Sequence, residues 1–193
     1  VVGEHMNGLQ MAGIANITAS KLNGVQIALC NYATQARGLQ IGLVNYYKEN
    51  MKGFQLGLVN ANPDTRVQMM VYGGNATPAN IGVRFKNQLF YTILGIGSMY
   101  QGLNDKFSAS ASYRAGLSFT LYKGLSISGD LGYQHIEAFD NKDEVIPKRL
   151  YALQARANLE YQFTRKFGIF ATGGYGLTRF YNKSVSYTHL RAH

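Results

Sequence analysis

The stretch GLQIGLVN, residues 38–45, returns as GFQLGLVN at residues 53–60, and the fold turns on how that repeat is read. Two upstream copies, GLQMAGIAN from Gly8 to Asn16 and GVQIALCN from Gly24 to Asn31, keep the same frame, and VQMMVYGGN from Val67 reads as a decayed fifth. The starts at Gly8, Gly24, Gly38 and Gly53 lie 16, 14 and 15 residues apart, room for one strand and one connection per unit. Alternate positions separate chemically: Leu39, Ile41 and Leu43 against Gln40, Gly42 and Val44, then Phe54, Leu56 and Leu58 against Gln55, Gly57 and Val59. Period two is the signature of a strand. Glycine relieves crowding beside large neighbours, glutamine takes the polar face, and Asn16, Asn31, Asn45 and Asn60 end strands, in keeping with the turn preference of asparagine.

Repeats of this period suit a parallel β-solenoid in which Gln and Asn stack into ladders, making residues 1–62 a rigid surface rod. They equally suit successive strands of an antiparallel sheet. The irregular spacing, and the lack of any composition break beyond the loop-sized NANPDTR (Asn60 to Arg66), favour one continuous up-and-down sheet.

The second half supplies the reason. From Ala109 to Leu121 the odd positions are Ala109, Ala111, Tyr113, Ala115, Leu117, Phe119 and Leu121, and the even ones Ser110, Ser112, Arg114, Gly116, Ser118 and Thr120. After a turn at Lys123, Leu125, Ile127, Leu131 and Tyr133 share one face, and Ser126, Ser128, Asp130 and Gln134 the other. Setting Leu121 opposite Leu125 pairs Phe119 with Ile127 and Tyr113 with Tyr133, so both apolar faces agree. A second hairpin turns at Thr164 to Lys166, and Phe163 opposite Phe167 sets Arg156 across from Gly174, a gap that a long inward side chain fills. A further pair, NIGVRFKN and LFYTILGIGSMY, turns near Gln88.

No run approaches the roughly 18 to 20 apolar residues of a membrane helix, whereas a membrane strand needs only about 9 to 11. Alternating runs of thirteen to fifteen residues exceed the roughly 5 to 6 usual in soluble sheets. Tyr and Phe near the strand ends suit interfacial girdles, and short turns alternate with the long charged FDNKDEVIPK. The expectation is an all-β chain: an antiparallel up-and-down transmembrane β-barrel, incomplete, with about eleven strands. Residues 1–75 would supply its repeat strands and residues 76–184 its long strands. Bacterial barrels carry even strand numbers, so at least one strand is expected beyond Ser184.

Residues 185–193, VSYTHLRAH, are what the frame GTC TCT TAT ACA CAT CTC CGA GCC CAC encodes, and that string resembles the adapter of transposon-based sequencing libraries. They read as adapter-derived, which leaves His5 and His135 as the genuine histidines and lowers the formal charge from +9 to +8 by the loss of Arg191. The remaining Lys and Arg are scattered, with no RNA-binding motif among them, so nucleic acid is not an expected partner. A single cysteine, Cys30, excludes an internal disulfide and argues against a cysteine metal site.

The GxQxGLxN units followed by long alternating strands, together with ARANLEYQFTRKFGIFATGGYGLTRFY (Ala155 to Tyr181), resemble the surface-repeat outer-membrane β-barrel proteins of Bacteroidota-type Gram-negative bacteria. The resemblance implies an outer-membrane location behind a cleaved signal peptide, and supplies no catalytic residues.

Function is then expected in the lumen and loops. Lumen-lining candidates are Arg114, Asp130, Gln134, Gln154, Arg156, Asn158, Glu160 and Gln162, with Gln10, Gln26, Gln40 and Gln55 from the repeats. They predict a passive pore for small solutes or a structural barrel; the alternative is a surface interaction or adhesion protein whose repeats form a β-solenoid. No enzyme, cofactor or metal site is expected, since His135 with Glu137 on a lipid-facing strand makes a poor dyad. Expected partners are outer-membrane lipid, the barrel-assembly machinery and lipopolysaccharide, the last through Lys142, Lys148 and Arg149; YYKEN (Tyr46 to Asn50) is expected as an exposed connection.

Overall fold

The structure, a computed structural model, describes residues 1–74, 77–98, 107–139, 149–164, 166–181 and 186–192. Its described elements are all strands, in two sheets. The first sheet runs β1 (His5–Met11), β2 (Ala15–Ile27), β3 (Cys30–Ile41), β4 (Val44–Leu56), β5 (Val59–Ala61). The second contains β6 (Arg66–Tyr72), β7 (Ala79–Asn87), β8 (Phe90–Ser98), β9 (Ser108–Tyr122), β10 (Leu125–Ala138), β11 (Arg149–Gln162), β12 (Gly168–Tyr181) and β13 (Ser186–Ala192), in reversed sequence order. The chain divides into two compact units, Val1–Val67 with Phe85–Gln88, and Gln68–Arg84 with Leu89–His193.

The first sheet overturns the single up-and-down barrel of eleven strands. Its strands pair in parallel, each coil of a β-solenoid lying on the one before: Gly8 meets Gly24, Gly24 meets Gly38 and Gly38 meets Gly53, while Gln10, Gln26, Gln40 and Gln55 align one residue row apart from Leu9, Val25, Leu39 and Phe54. Only parallel, in-register stacking sets like on like. The uneven repeat spacing is absorbed at the corners: the first coil holds three residues, Ala12 to Ile14, where later coils hold two, and at the other corner the register shifts between Thr18 and Lys21 in β2 and between Ala33 and Gln35 in β3. Coils two and four carry two residues there and coil three carries Thr34 alone.

Three further expectations change. The asparagines begin strands rather than ending them, each lying one residue after the start of β2, β3 or β4. YYKEN lies within β4, where Tyr46 stacks on Tyr32 at 5.8 Å. The fifth repeat copy is not a coil: Arg66–Tyr72 is β6 of the second sheet. The solenoid ends at NANPDTR instead, where the Thr65 amide donates to the Asn62 carbonyl at 3.1 Å and the Asp64 amide to Asn62 Oδ1 at 2.8 Å. Pro63 at the second position suits such a turn. Asn87 then donates to the Asn60 carbonyl at 2.7 Å and accepts from Thr65, closing the last coil.

The second sheet is an antiparallel meander, and here the hairpin registers hold. Phe119 faces Ile127 and Tyr113 faces Tyr133. Leu125 pairs with Tyr122, not Leu121, because the ladder shifts register between Leu125 and Ser126. Arg156 faces Gly174, and Gln88, with φ of 31°, makes the turn between β7 and β8.

Candidate functional site

The inward face of the antiparallel sheet collects most of the polar residues singled out in the sequence. Asp130 on β10 accepts four hydrogen bonds: from Arg114 Nε at 2.9 Å and Nη2 at 2.8 Å, from the Tyr91 hydroxyl at 2.8 Å and from Asn158 Nδ2 at 2.8 Å. Asn158 Oδ1 in turn accepts from Thr172 at 2.7 Å. Gln134 donates to Ser110 at 3.0 Å and to Thr77 at 3.2 Å. Farther along, Arg84 on β7 forms a bidentate pair with Glu160 on β11, both N–O distances being 2.7 Å. A buried ion pair of this kind holds only when its remaining lone pairs are met as well, and the four bonds to Asp130 supply that.

Glycine makes the space. Arg114 lies directly opposite Gly132, Asp130 opposite Gly116 and Arg156 opposite Gly174. A Cβ at Gly132 would come within 2.9 Å of Arg114 Cγ, and one at Gly116 within 2.7 Å of Asp130 Cβ. Each long inward side chain thus occupies the room its cross-strand partner leaves empty.

Arg114, Asp130, Gln134, Gln154 and Asn158 are buried together, with Arg156, Glu160 and Gln162 only partly covered. Arg114, Asp130 and Asn158 bond one another side chain to side chain, as do Arg156 and Gln154, while Gln134 and Glu160 bond neighbours outside the predicted set. Gln26, Gln40 and Gln55 lie elsewhere, buried inside the solenoid, with Gln10 partly covered at its first coil. Tyr91 and Arg84 complete the networks and were not among the candidates. Tyr91 sits in LFYTIL, where apolar residues on both parities hide which face is inward; Arg84, alternating with Asn80 and Gly82, carried a legible signal.

The outward face is apolar. Leu131 is 71% exposed and Leu153 62%, against 3% for Arg114 and 5% for Asp130. Cross-strand rows order this face. Tyr122, Leu125, Tyr161 and Ile169 form one row, Phe119, Ile127, Leu159 and Ala171 the next but one inward from the turns, and Tyr113, Tyr133, Leu153 and Leu177 the last apolar row. Beyond it come Ala111, His135, Tyr151 and Arg179, and then Glu137 with Arg149, paired at 3.4 Å. Aromatics mark both borders: Tyr133 stacks on Tyr151 at 6.0 Å and Phe107 meets Phe139 at 5.8 Å, while Phe163 and Phe167 stand exposed beside the short turn. His135 lies 3.9 Å from Glu137 and packs on the Tyr151 ring, an arrangement at the border of the apolar band. Lys142 and Lys148 fall outside the described residues.

The solenoid interior is built from two amide ladders. Gln26 donates to Gln10 at 2.9 Å, Gln40 to Gln26 at 2.8 Å and Gln55 to Gln40 at 2.8 Å. Asn16 donates to Asn31 at 3.1 Å, Asn31 to Asn45 at 2.9 Å and Asn45 to Asn60 at 2.8 Å. The glutamine ladder donates toward the first coil and the asparagine ladder toward the last, so their dipoles oppose. Three of the asparagines also close their own coils, Asn16 donating to the Ile27 carbonyl at 3.0 Å, Asn31 to Ile41 at 2.7 Å and Asn45 to Leu56 at 3.0 Å. At the opposite end of the coils Leu22, Ala33 and Ala36 form a small apolar cluster with Met6 and Met51.

Among the described residues no three His, Cys, Asp or Glu side chains gather as metal ligands, and no helix is long and apolar enough to cross a membrane. Comparison with protein-family models, with curated proteins and with solved structures found no match.

Proposed function

We propose that this chain is a surface interaction protein of a bacterial outer membrane, with the apolar face of its antiparallel sheet against lipid and its repeats forming a rigid β-solenoid. The observation that carries the reading is the polarity of the sheet: ion pairs and amides inward, leucine and isoleucine outward, aromatic and then charged rows at the border. From Leu125 to Tyr133 the apolar band runs eight steps along β10, about 26 Å at ~3.3 Å per residue. At the tilt of about 35–45° of outer-membrane strands this is roughly 20 Å of height, somewhat under the ~25 Å apolar band of outer-membrane sheets. In water such a face costs free energy and invites aggregation; in hydrocarbon it is at home. Hydrocarbon tolerates no unpaired strand edge, so the reading requires the outer strands of the sheet to be paired in the membrane. The resemblance to surface-repeat proteins of Gram-negative bacteria supports the same location.

An exposed groove lined by Tyr133, Tyr151, Leu153, Leu177, Arg149 and Arg179 sets two guanidinium groups above an apolar floor. That chemistry suits the phosphates and acyl chains of lipopolysaccharide. Cysteine scanning tests the reading. With Cys30→Ser as background, an environment-sensitive probe at Leu131→Cys or Leu153→Cys should shift to the blue on addition of vesicles and be quenched by brominated lipid. A probe at Lys123→Cys, in the short turn, should not. Unchanged spectra at Leu131 and Leu153 would overturn lipid contact by this face.

A further inference from the structure

Beside the ion-pair network the antiparallel sheet borders a partly open cavity of about 240 Å³. Its lining includes Arg114 and Arg156, the amides of Gln134 and Gln154, the Ser112 hydroxyl and the Tyr72 ring, and no carboxylate. Arg114 is neutralised by Asp130, which takes two of its N–H groups. Arg156 is not. Among the described residues it has no carboxylate oxygen within 4.0 Å, and its hydrogen bond goes from Nη2 to Gln154 Oε1.

Arg156 is partly covered, and Asp130, opposite it across the β10–β11 ladder, spends its hydrogen bonds on Arg114, Tyr91 and Asn158. A partly desolvated charge gains from a closer partner, and the fold leaves room for the Arg156 side chain with Gly174 opposite. Three kinds of donor remain without an acceptor among the described residues: the other N–H groups of Arg156, the Gln154 amide and the Ser112 hydroxyl. Gln134 and Thr172, by contrast, already donate to protein oxygens. An acceptor-only group of negative charge would complete this set, as guanidinium and carboxylate or phosphate match in geometry. Tyr72 and Phe170, with ring centroids 6.2 Å apart, close the apolar side.

We infer that this cavity binds a small oxyanion, a phosphate or carboxylate group, with Arg156 as its counter-charge and Gln154 and Ser112 as further donors. The inference does not depend on lipid contact by the outer face. Two sources share the chemistry, a free ion and the phosphate of a lipid headgroup, and a cavity of this volume takes the phosphate itself.

Isothermal titration calorimetry on the full chain in detergent, at constant ionic strength, tests it with inorganic phosphate, acetate and glycerol 3-phosphate, the last standing for a headgroup. The expected result is saturable binding of at least one of the three, weakened tenfold or more by R156Q and unchanged by R37Q, an exposed solenoid residue. Tighter binding of glycerol 3-phosphate than of phosphate assigns the headgroup; the reverse order assigns the free ion. Should R156Q lose its circular dichroism spectrum, Q154L carries the comparison and is expected to weaken binding severalfold. No saturable heat with any of the three at millimolar concentration, or equal binding by R156Q, overturns the proposal.

Discussion

The two sets of glycines act for different reasons. Gly24, Gly38 and Gly53 have φ of 146°, 134° and 145°, and a Cβ at Gly38 would sit 2.0 Å from the Gly24 carbonyl oxygen. Strained backbone costs about 1–3 kcal/mol, and the clash with a backbone atom that cannot give way adds to it. Gly38→Ala should therefore destabilise the solenoid by about 3 kcal/mol or more in a denaturant titration, while Gly13→Ala, where a Cβ meets nothing within 4 Å, should be close to neutral. In the antiparallel sheet the glycines answer to bulk across the ladder. The same partnership makes Asp130 critical: Asp130→Asn leaves the Arg114 guanidinium, 3% exposed, without its counter-charge, a change that typically costs about 3–5 kcal/mol. Replacing both partners, as Arg114→Met with Asp130→Leu, should recover part of that loss in the same unfolding assay, since no unpaired charge remains, while the Tyr91 hydroxyl and the Asn158 amide still lose the acceptor that Asp130 gives them.

At the scale of the element, the solenoid coil tolerates change at its corners and not within its strands. Coil three holds only Thr34 where coils two and four hold two residues, so one residue inserted after Thr34 should fold with little loss. The same insertion between Gly38 and Gln40 displaces an amide from its ladder and reverses every inward side chain after it, and should abolish the coil's protection against hydrogen exchange. Ladder position matters too. Asn31 and Asn45 each bond both neighbouring coils, so Asn45→Ala strands a donor on Asn31, a loss of about 1–3 kcal/mol, read by equilibrium unfolding. The strand content of both units and the inward glutamines were legible from alternation alone. The direction of the repeats was not, because residues such as Leu39 and Gln40 alternate identically in parallel and antiparallel strands. Composition misled at NANPDTR, where the chain passes from one sheet to the other without any change in residue usage.

For the whole molecule, the shared trait is inverted polarity. Amides fill the solenoid interior while Leu9, Phe54, Leu56 and Leu58 are exposed outside it, and ion pairs fill the antiparallel sheet beneath an apolar outer face. Placing arginine on that face tests the medium it meets: Leu131→Arg should lower the fraction floating with vesicles in a density gradient, by a penalty of about 2–4 kcal/mol if the site lies near the bilayer midplane. Arginine at Lys123, in the turn, should float as before. The candidate site divides along the same line. Arg114, Asp130, Gln134, Gln154, Arg156 and Asn158 were recognisable because each falls on the polar parity of a long strand. Tyr91 was not, because its strand is apolar on both sides.

The sequence by itself determined an all-β chain, the inward face of each long strand, and the hairpin registers from Phe119 opposite Ile127 to Arg156 opposite Gly174. Those follow from local rules, since side chains alternate along a strand and a short turn sets which residues meet. The tertiary structure alone decided that the repeats stack in parallel and form a sheet separate from the meander. Strand direction is chosen by which distant backbone and amide groups satisfy one another. Only the parallel stack brings Gln40 onto Gln26 and Asn45 onto Asn31 at hydrogen-bonding distance, a gain that no period-two pattern records.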